Sequence, residues 1–166
     1  MNSRRRCRVI ALQALYQCDA LGDFSTNTLD AFFKHFQGVE QFEDSLPAEP
    51  GADLEFARRL TIGVIDRLSF IEKQIGFAST HWSIARMPRV DRNILRIATY
   101  EIAFCDDIPS KVSINEAIEM AKEFSSEESP LFINGVLNKI CLSLAEHPLI
   151  LQEEFAKGSQ LRIAEG

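Results

Sequence analysis

Apolar side chains recur every three to four residues along almost the whole chain, while strand-like alternation is nearly absent; the pattern points to amphipathic helices buried against one another. The first segment carries Cys7, Ile10, Ala11, Ala14, Leu15 and Cys18 on one helical face, from about Arg4 to Leu21, and Gly22 is placed to end it. A second helix is predicted from about Thr26 to Phe42, with Leu29, Phe32, Phe33 and Phe36 inward. Residues 43–52 hold two prolines, a glycine and several acids, and read as a loop. A third, long helix is expected from about Asp53 to Ser79, and Gly63 within it suggests a close helix approach.

Pro88 opens a fourth helix as a first-turn proline, with Asp91 in the same turn, reaching about Phe104. After the turn at Asp106-Asp107-Ile108-Pro109, Ser113 and Glu116 have the spacing of a capping box for a fifth helix running to Phe124. Ser129-Pro130 reads as N-cap and first residue of a sixth helix. His147-Pro148 breaks that helix, and a short seventh is expected before a frayed end. The fold class is therefore all-α, a compact bundle of about seven helices.

The net charge is −6, which taken alone argues against a nucleic-acid ligand. The charge is unevenly spread, however. Residues 19–55 contain nine acids and one base (net −8), so the remainder carries +2. The first eight residues hold Arg4, Arg5, Arg6 and Arg8 and no acid, and a ligand responds to local charge within a Debye length of roughly 8 Å. On the helical wheel Arg5, Arg8 and Tyr16 share a flank away from the apolar stripe. Arginine forks match phosphates, and a tyrosine stacks on an unpaired base. The plainer alternative is a solvated basic end, yet basic residues at a helix N-terminus oppose the macrodipole and do not serve helix stability. A second run, Arg86, Arg89, Arg92 and Arg96, is interleaved with Asp91 and reads as an ion-pair or protein-contact surface before an RNA groove.

Catalytic signatures are missing. There is no Gly-rich phosphate loop and no G-x-S-x-G elbow, so no cofactor is called for. His35, His81 and His147 are isolated and give no metal site. Cys7, Cys18, Cys105 and Cys141 form no C-x-x-C pair and read as buried reduced thiols, as in the cytoplasm. No apolar run reaches the roughly 18 residues of a membrane span.

Five segments in order resemble the NusB antitermination factors. They are Arg4-Arg5-Arg6-Cys7-Arg8 with Ala11-Leu12-Gln13-Ala14-Leu15-Tyr16, then Phe56…Leu60…Gly63-Val64, then Met87-Pro88-Arg89-Val90-Asp91-Arg92 with Ile94-Leu95-Arg96. Ile108-Pro109…Ile114-Asn115-Glu116-Ala117 and Phe132-Ile133-Asn134-Gly135-Val136-Leu137 complete the pattern. The resemblance implies two packed sub-bundles of three to four helices. It also implies binding of the single-stranded boxA element of nascent ribosomal RNA with the ribosomal protein NusE, within an RNA polymerase antitermination complex. Position by position it implies RNA contacts at Arg4, Arg5, Arg8, Tyr16, Glu128 and Phe132, and a partner contact at Asp91. Phe132 also fits core packing, and Glu128 and Asp91 also favour the helix starts beside them.

On this reading residues 1–145 form the helical RNA-binding domain, with an acidic loop-rich segment at 22–52, and 146–166 form a C-terminal extension. Leu131, Ser125 and Asn138 depart from the family pattern, Leu131 by standing where a basic residue is common. Monomer and homodimer are both compatible with the sequence. One rival is a NusB-like domain of an RNA cytosine methyltransferase, which needs a further cofactor-binding domain and a catalytic cysteine. The other is a pure protein-interaction bundle.

Overall fold

A computed structural model describes residues 3–39 and 50–164. Among them are eight α-helices and no strand: α1 Ser3–Leu21, α2 Thr26–Val39, α3 Pro50–Asp66, α4 Leu68–Ala78, α5 Arg89–Phe104, α6 Ser110–Phe124, α7 Ser129–Glu146 and α8 Pro148–Ala164. A single 3-10 turn, Ile84–Arg86, leads into α5. The predicted loop at 43–52 lies outside the described residues up to 49, and its last three residues are the first turn of α3.

The stripe of α1 divides between two cores. Ala11, Leu12 and Leu15 join the main core with residues of α3 to α7. Cys7, Ile10, Ala14 and Cys18 join a smaller one with Leu29 and Phe33 of α2 and Leu54 and Ala57 of α3. The helix is thus a wall shared by two sub-bundles, and it ends where Gly22 adopts a left-handed φ of 65°. There the Asp23 amide donates to the Cys18 carbonyl at 2.9 Å and the Gly22 amide to that of Asp19 at 3.1 Å, closing the last turn.

Helix α5 is central and touches α1, α3, α4, α6 and α7. It runs antiparallel to α1, since Arg8 meets Glu101 while Asp19 meets Arg92 and Arg96. The close approach expected at Gly63 is to Tyr100 of α5: a Cβ on Gly63 would fall 2.1 Å from the Tyr100 Cζ. Of the four cysteines, Cys7, Cys18 and Cys105 are buried, Cys141 is half-buried, and none is in a disulfide.

Four boundary expectations are corrected. The long third helix is two helices, broken at Arg67 (φ −114°, ψ 18°), whose guanidinium donates to the Glu154 carbonyl of α8 at 2.9 Å and lies over Phe104. No local residue signals that break, because the partner is 87 positions away. The fifth predicted helix starts at Ser110, not at a Ser113 cap. The Pro109 carbonyl accepts the Val112 and Ser113 amides there. Ser113 is buried one turn inside, and Glu116 turns outward to Arg5. Finally Glu128, not Ser129, precedes α7, and the extension forms the 17-residue α8 in place of a short helix.

Candidate nucleic-acid interface

The residues expected at the interface fall into two groups. Arg8 is 3% exposed, off the exposed flank that the helical wheel assigned it. Its guanidinium donates both Nε and Nη2 to the Glu101 carboxylate, at 2.8 and 2.7 Å, and Ser113 Oγ donates to the same carboxylate at 3.0 Å. The wheel misplaced Arg8 because α5 and α6 together cover more of α1 than its apolar stripe alone. Arg5 is half-exposed and grips Glu116 of α6 with two hydrogen bonds, at 2.8 and 3.1 Å. Arg4 is exposed, 3.4 Å from Asp107, with its guanidinium over the Phe56 ring. Each of these three arginines therefore faces a carboxylate, Asp107 being shared between Arg4 and Arg59, which reaches it at 3.1 Å.

Tyr16 lies twelve residues further along α1, about 18 Å at 1.5 Å per residue. It is 41% exposed, and the Arg89 guanidinium sits over its ring at 5.5 Å. Arg89 begins α5, so this end of α1 meets the N-terminal end of α5, and the start of α7 lies on the other side of that end, where Ser129 hydrogen-bonds to Asp91. A cleft of about 340 Å³ opens there, lined among others by Trp82, Arg86, Pro88, Glu128 and Phe132. Glu128 is exposed at its edge, and Phe132 is half-buried with one side on the core. The structure thus gathers Tyr16, Glu128 and Phe132 at one end of α5, and leaves Arg4 and Arg5 at the other.

Asp91 also lines the cleft, but at 3% exposure it faces inward. Its carboxylate accepts hydrogen bonds from Ser125 Oγ and, at 2.8 Å, from Ser129 Oγ, which pins the turn between α6 and α7 to the first turn of α5. Ser125, a departure from the family pattern, is therefore a ligand of Asp91.

The second arginine run is split as well. Arg96 and Arg92 turn inward to Asp19, and Arg96 also reaches Glu72 at 2.7 Å. Arg89 sits 3.7 Å from Asp19. Burial alone would raise the Asp19 carboxyl, but hydrogen bonds from Arg92, Arg96 and Asn93 bring it down to about 2. Three guanidiniums share two carboxylates, so the cluster keeps a surplus positive charge, with Arg89 and Arg86 on its outer side. Sequence reasoning assigned Arg86 and Arg89 to an ion-pair or protein surface and left Trp82 unassigned. An available signal was the lone tryptophan in a short polar segment between helices.

Residues 5–141 match the NusB family model. The chain belongs to the NusB family. It is 45% identical over 88% of its length to the transcription antitermination protein NusB of Geotalea daltonii, of which 99% is covered. The NusB structure from T. maritima is 37% identical and overlays with a TM-score of 0.69, covering 83% of this chain and 89% of that one. A crystal structure of the antitermination factors NusB and NusE in complex with dsRNA gives a TM-score of 0.69 over 86% of this chain and 98% of that one; at 24% identity the likeness concerns the fold.

Among the described residues no helix is long and apolar enough to cross a membrane, and no group of His, Cys, Asp and Glu could hold a metal ion. What the cleft offers is a half-buried aromatic edge, one outward guanidinium and no strong nucleophile, with Tyr16 and Arg89 beside it at the same end of α5. That set suits stacking and phosphate pairing.

Proposed function

We propose that this chain is a non-catalytic transcription antitermination factor of the cytoplasm that binds single-stranded boxA-like RNA together with NusE. The observation that carries the reading is the cleft between the start of α5 and the start of α7. Phe132 offers a ring surface to an unpaired base there and Arg86 a guanidinium to a phosphate, and outside the cleft, at the same end of α5, Tyr16 and Arg89 extend the surface with a second ring and cation. Family membership and relatives named as antitermination proteins point the same way.

The N-terminal arginines take different parts in this reading. Arg4 and Arg5 meet the RNA strand as a secondary contact at the far end of α1, trading Asp107 and Glu116 for phosphate. Arg8 positions α1 on α5 from within. Asp91 supports NusE binding by holding the α6–α7 turn in place, and Glu128 borders the RNA, accepting hydrogen bonds from base amino groups.

A gel-shift titration of a boxA-like oligoribonucleotide against this protein, NusE and the two together tests the proposal. Tighter binding by the pair than by either component is expected, with Phe132→Ala losing about 1–3 kcal/mol as one base stack is removed. Absence of any shift with this protein, alone or paired, overturns it.

A further inference from the structure

Beside the cleft just described lies a second one, of about 280 Å³, and Trp82 and Phe132 line both. The indole is therefore the partition between two adjoining hollows on one surface. Trp82 is 56% exposed, and Leu131 on the facing edge is 80% exposed, an apolar pair facing outward with no core to serve. An indole that is exposed is ordinarily free to swing, but the turn beneath this one is fastened. Ser79 is buried, its Oγ donates to the Ile75 carbonyl at 2.6 Å and to the Trp82 carbonyl at 3.1 Å, and the Trp82 amide donates to the Ser79 carbonyl at 3.0 Å. A flat aromatic surface is thus offered to solvent from an anchored backbone, which lowers the ordering cost of stacking on it.

Charge selects the occupant. The second cleft is lined by Lys139 and His81 and by no carboxylate, and the first carries Arg86 on its side of the partition, with Glu128 at its edge and Asp91 turned inward to Ser125 and Ser129. Aromatic walls with cations on either side and no acid in the outer hollow match consecutive nucleotides of an unpaired strand, bases on the rings and phosphates on the cations. Resting on the RNA-binding function proposed above, we infer that Trp82 is a second stacking platform. It separates two successive bases of the bound strand, so the RNA path continues past Phe132 into the hollow between Trp82 and Lys139. Leu131, where relatives of this family often carry a basic residue, then serves as the apolar floor edge of that second position, and Lys139 supplies the phosphate contact about two turns further along α7.

Trp82 is the single tryptophan of the chain, so its fluorescence reports this site alone. The full-length protein is titrated with a boxA-like single-stranded oligoribonucleotide, and affinities of Trp82→Ala, Trp82→Phe and Phe132→Ala are measured by filter binding at several salt concentrations. Saturable quenching in the wild type is expected. Trp82→Ala should bind roughly five- to a hundredfold more weakly, the loss that accompanies removal of one base–aromatic stack, at an unchanged salt slope. Trp82→Phe should recover most of that affinity, and thermal melts should show all three variants folded. Wild-type affinity in Trp82→Ala alongside weakened binding in Phe132→Ala overturns the second platform and leaves the RNA-binding function standing. Quenching by NusE alone, with RNA affinity indifferent to Trp82, assigns the indole to a protein contact and also overturns it. No RNA binding by the wild type removes both readings together.

Discussion

The two arginine-rich segments, Arg4–Arg8 and Arg86–Arg96, look alike as sequence and end in different electrostatic states. In the first, Arg5 and Arg8 each have a carboxylate of their own, Glu116 and Glu101, and Arg4 shares Asp107 with Arg59 of α3. In the second, three arginines share Asp19 and Glu72, and Arg86 stands at the cleft. The N-terminal run is the denser in positive charge along the chain, yet the later run is the one left with surplus charge beside exposed aromatic rings. Counting arginines locates candidate phosphate contacts; counting the carboxylates that fold against them decides which remain available.

The sharpest way to break this contrast is inside the first segment. Arg8→Ala leaves Glu101 charged, buried and without its main partner, and should cost about 3–5 kcal/mol in denaturant unfolding. The folded fraction should still bind RNA; a variant of undiminished stability that loses RNA would return Arg8 to the interface. Ser113→Ala removes the hydroxyl that donates to the same carboxylate and should cost about 1.5–3 kcal/mol. An unchanged midpoint would mean that Glu101 is satisfied by Arg8 alone.

In the second segment acid is the probe. Asp19 is held at about 2 in the folded protein, below the ordinary carboxylate value of 3.8. Its contribution, about 2 kcal/mol, is fully present above pH 4 and is lost as the pH falls towards 2. Asp19→Asn should be less stable at neutral pH and should flatten the pH dependence over that window. A wild-type curve in the variant would remove Asp19 as the keystone of the cluster. The smallest expected effect compares the runs directly. Arg86→Gln with Arg89→Gln should flatten the log–log salt dependence of RNA binding by about 1–1.5, at roughly 0.7 per lost phosphate contact, and Arg4→Gln with Arg5→Gln by less. The reverse ranking would put the RNA along the N-terminal half of α1.

Helix positions were legible in the sequence wherever a stripe, a proline or a glycine marked them, as at Gly22, and Ser129-Pro130 marked the start of α7 to within one residue. Gly63 even announced its close contact, because a helix interior tolerates glycine poorly without a reason. The break at Arg67 was not legible, since its hydrogen-bond partner lies in α8. Ser113 misled because S-x-x-E spacing is also what a buried serine and a surface glutamate produce when they face opposite neighbours. Of the proposed interface, Tyr16, Glu128 and Phe132 are named by the family resemblance, whereas Trp82 and Arg86 are brought to Phe132 only by the packing of the turn before α5 against α7, and Arg89 to Tyr16 by the antiparallel pairing of α1 and α5. The inward turn of Arg8 and Asp91 was hidden for the same reason: their partners are supplied by other helices.

The sharing of α1 between two cores has a consequence for synthesis on the ribosome. The first half of its surroundings, α2 and α3, is translated soon after it, but the partners of Ala11, Leu12, Leu15 and Arg8 on α5 emerge some eighty residues later, on the order of ten seconds at ordinary elongation rates. Until then the nascent chain carries a helix with one face docked and the other bare, a charged arginine among its apolar neighbours. That unpaired guanidinium keeps the waiting surface wet, and so discourages premature sticking, until Glu101 arrives to close it.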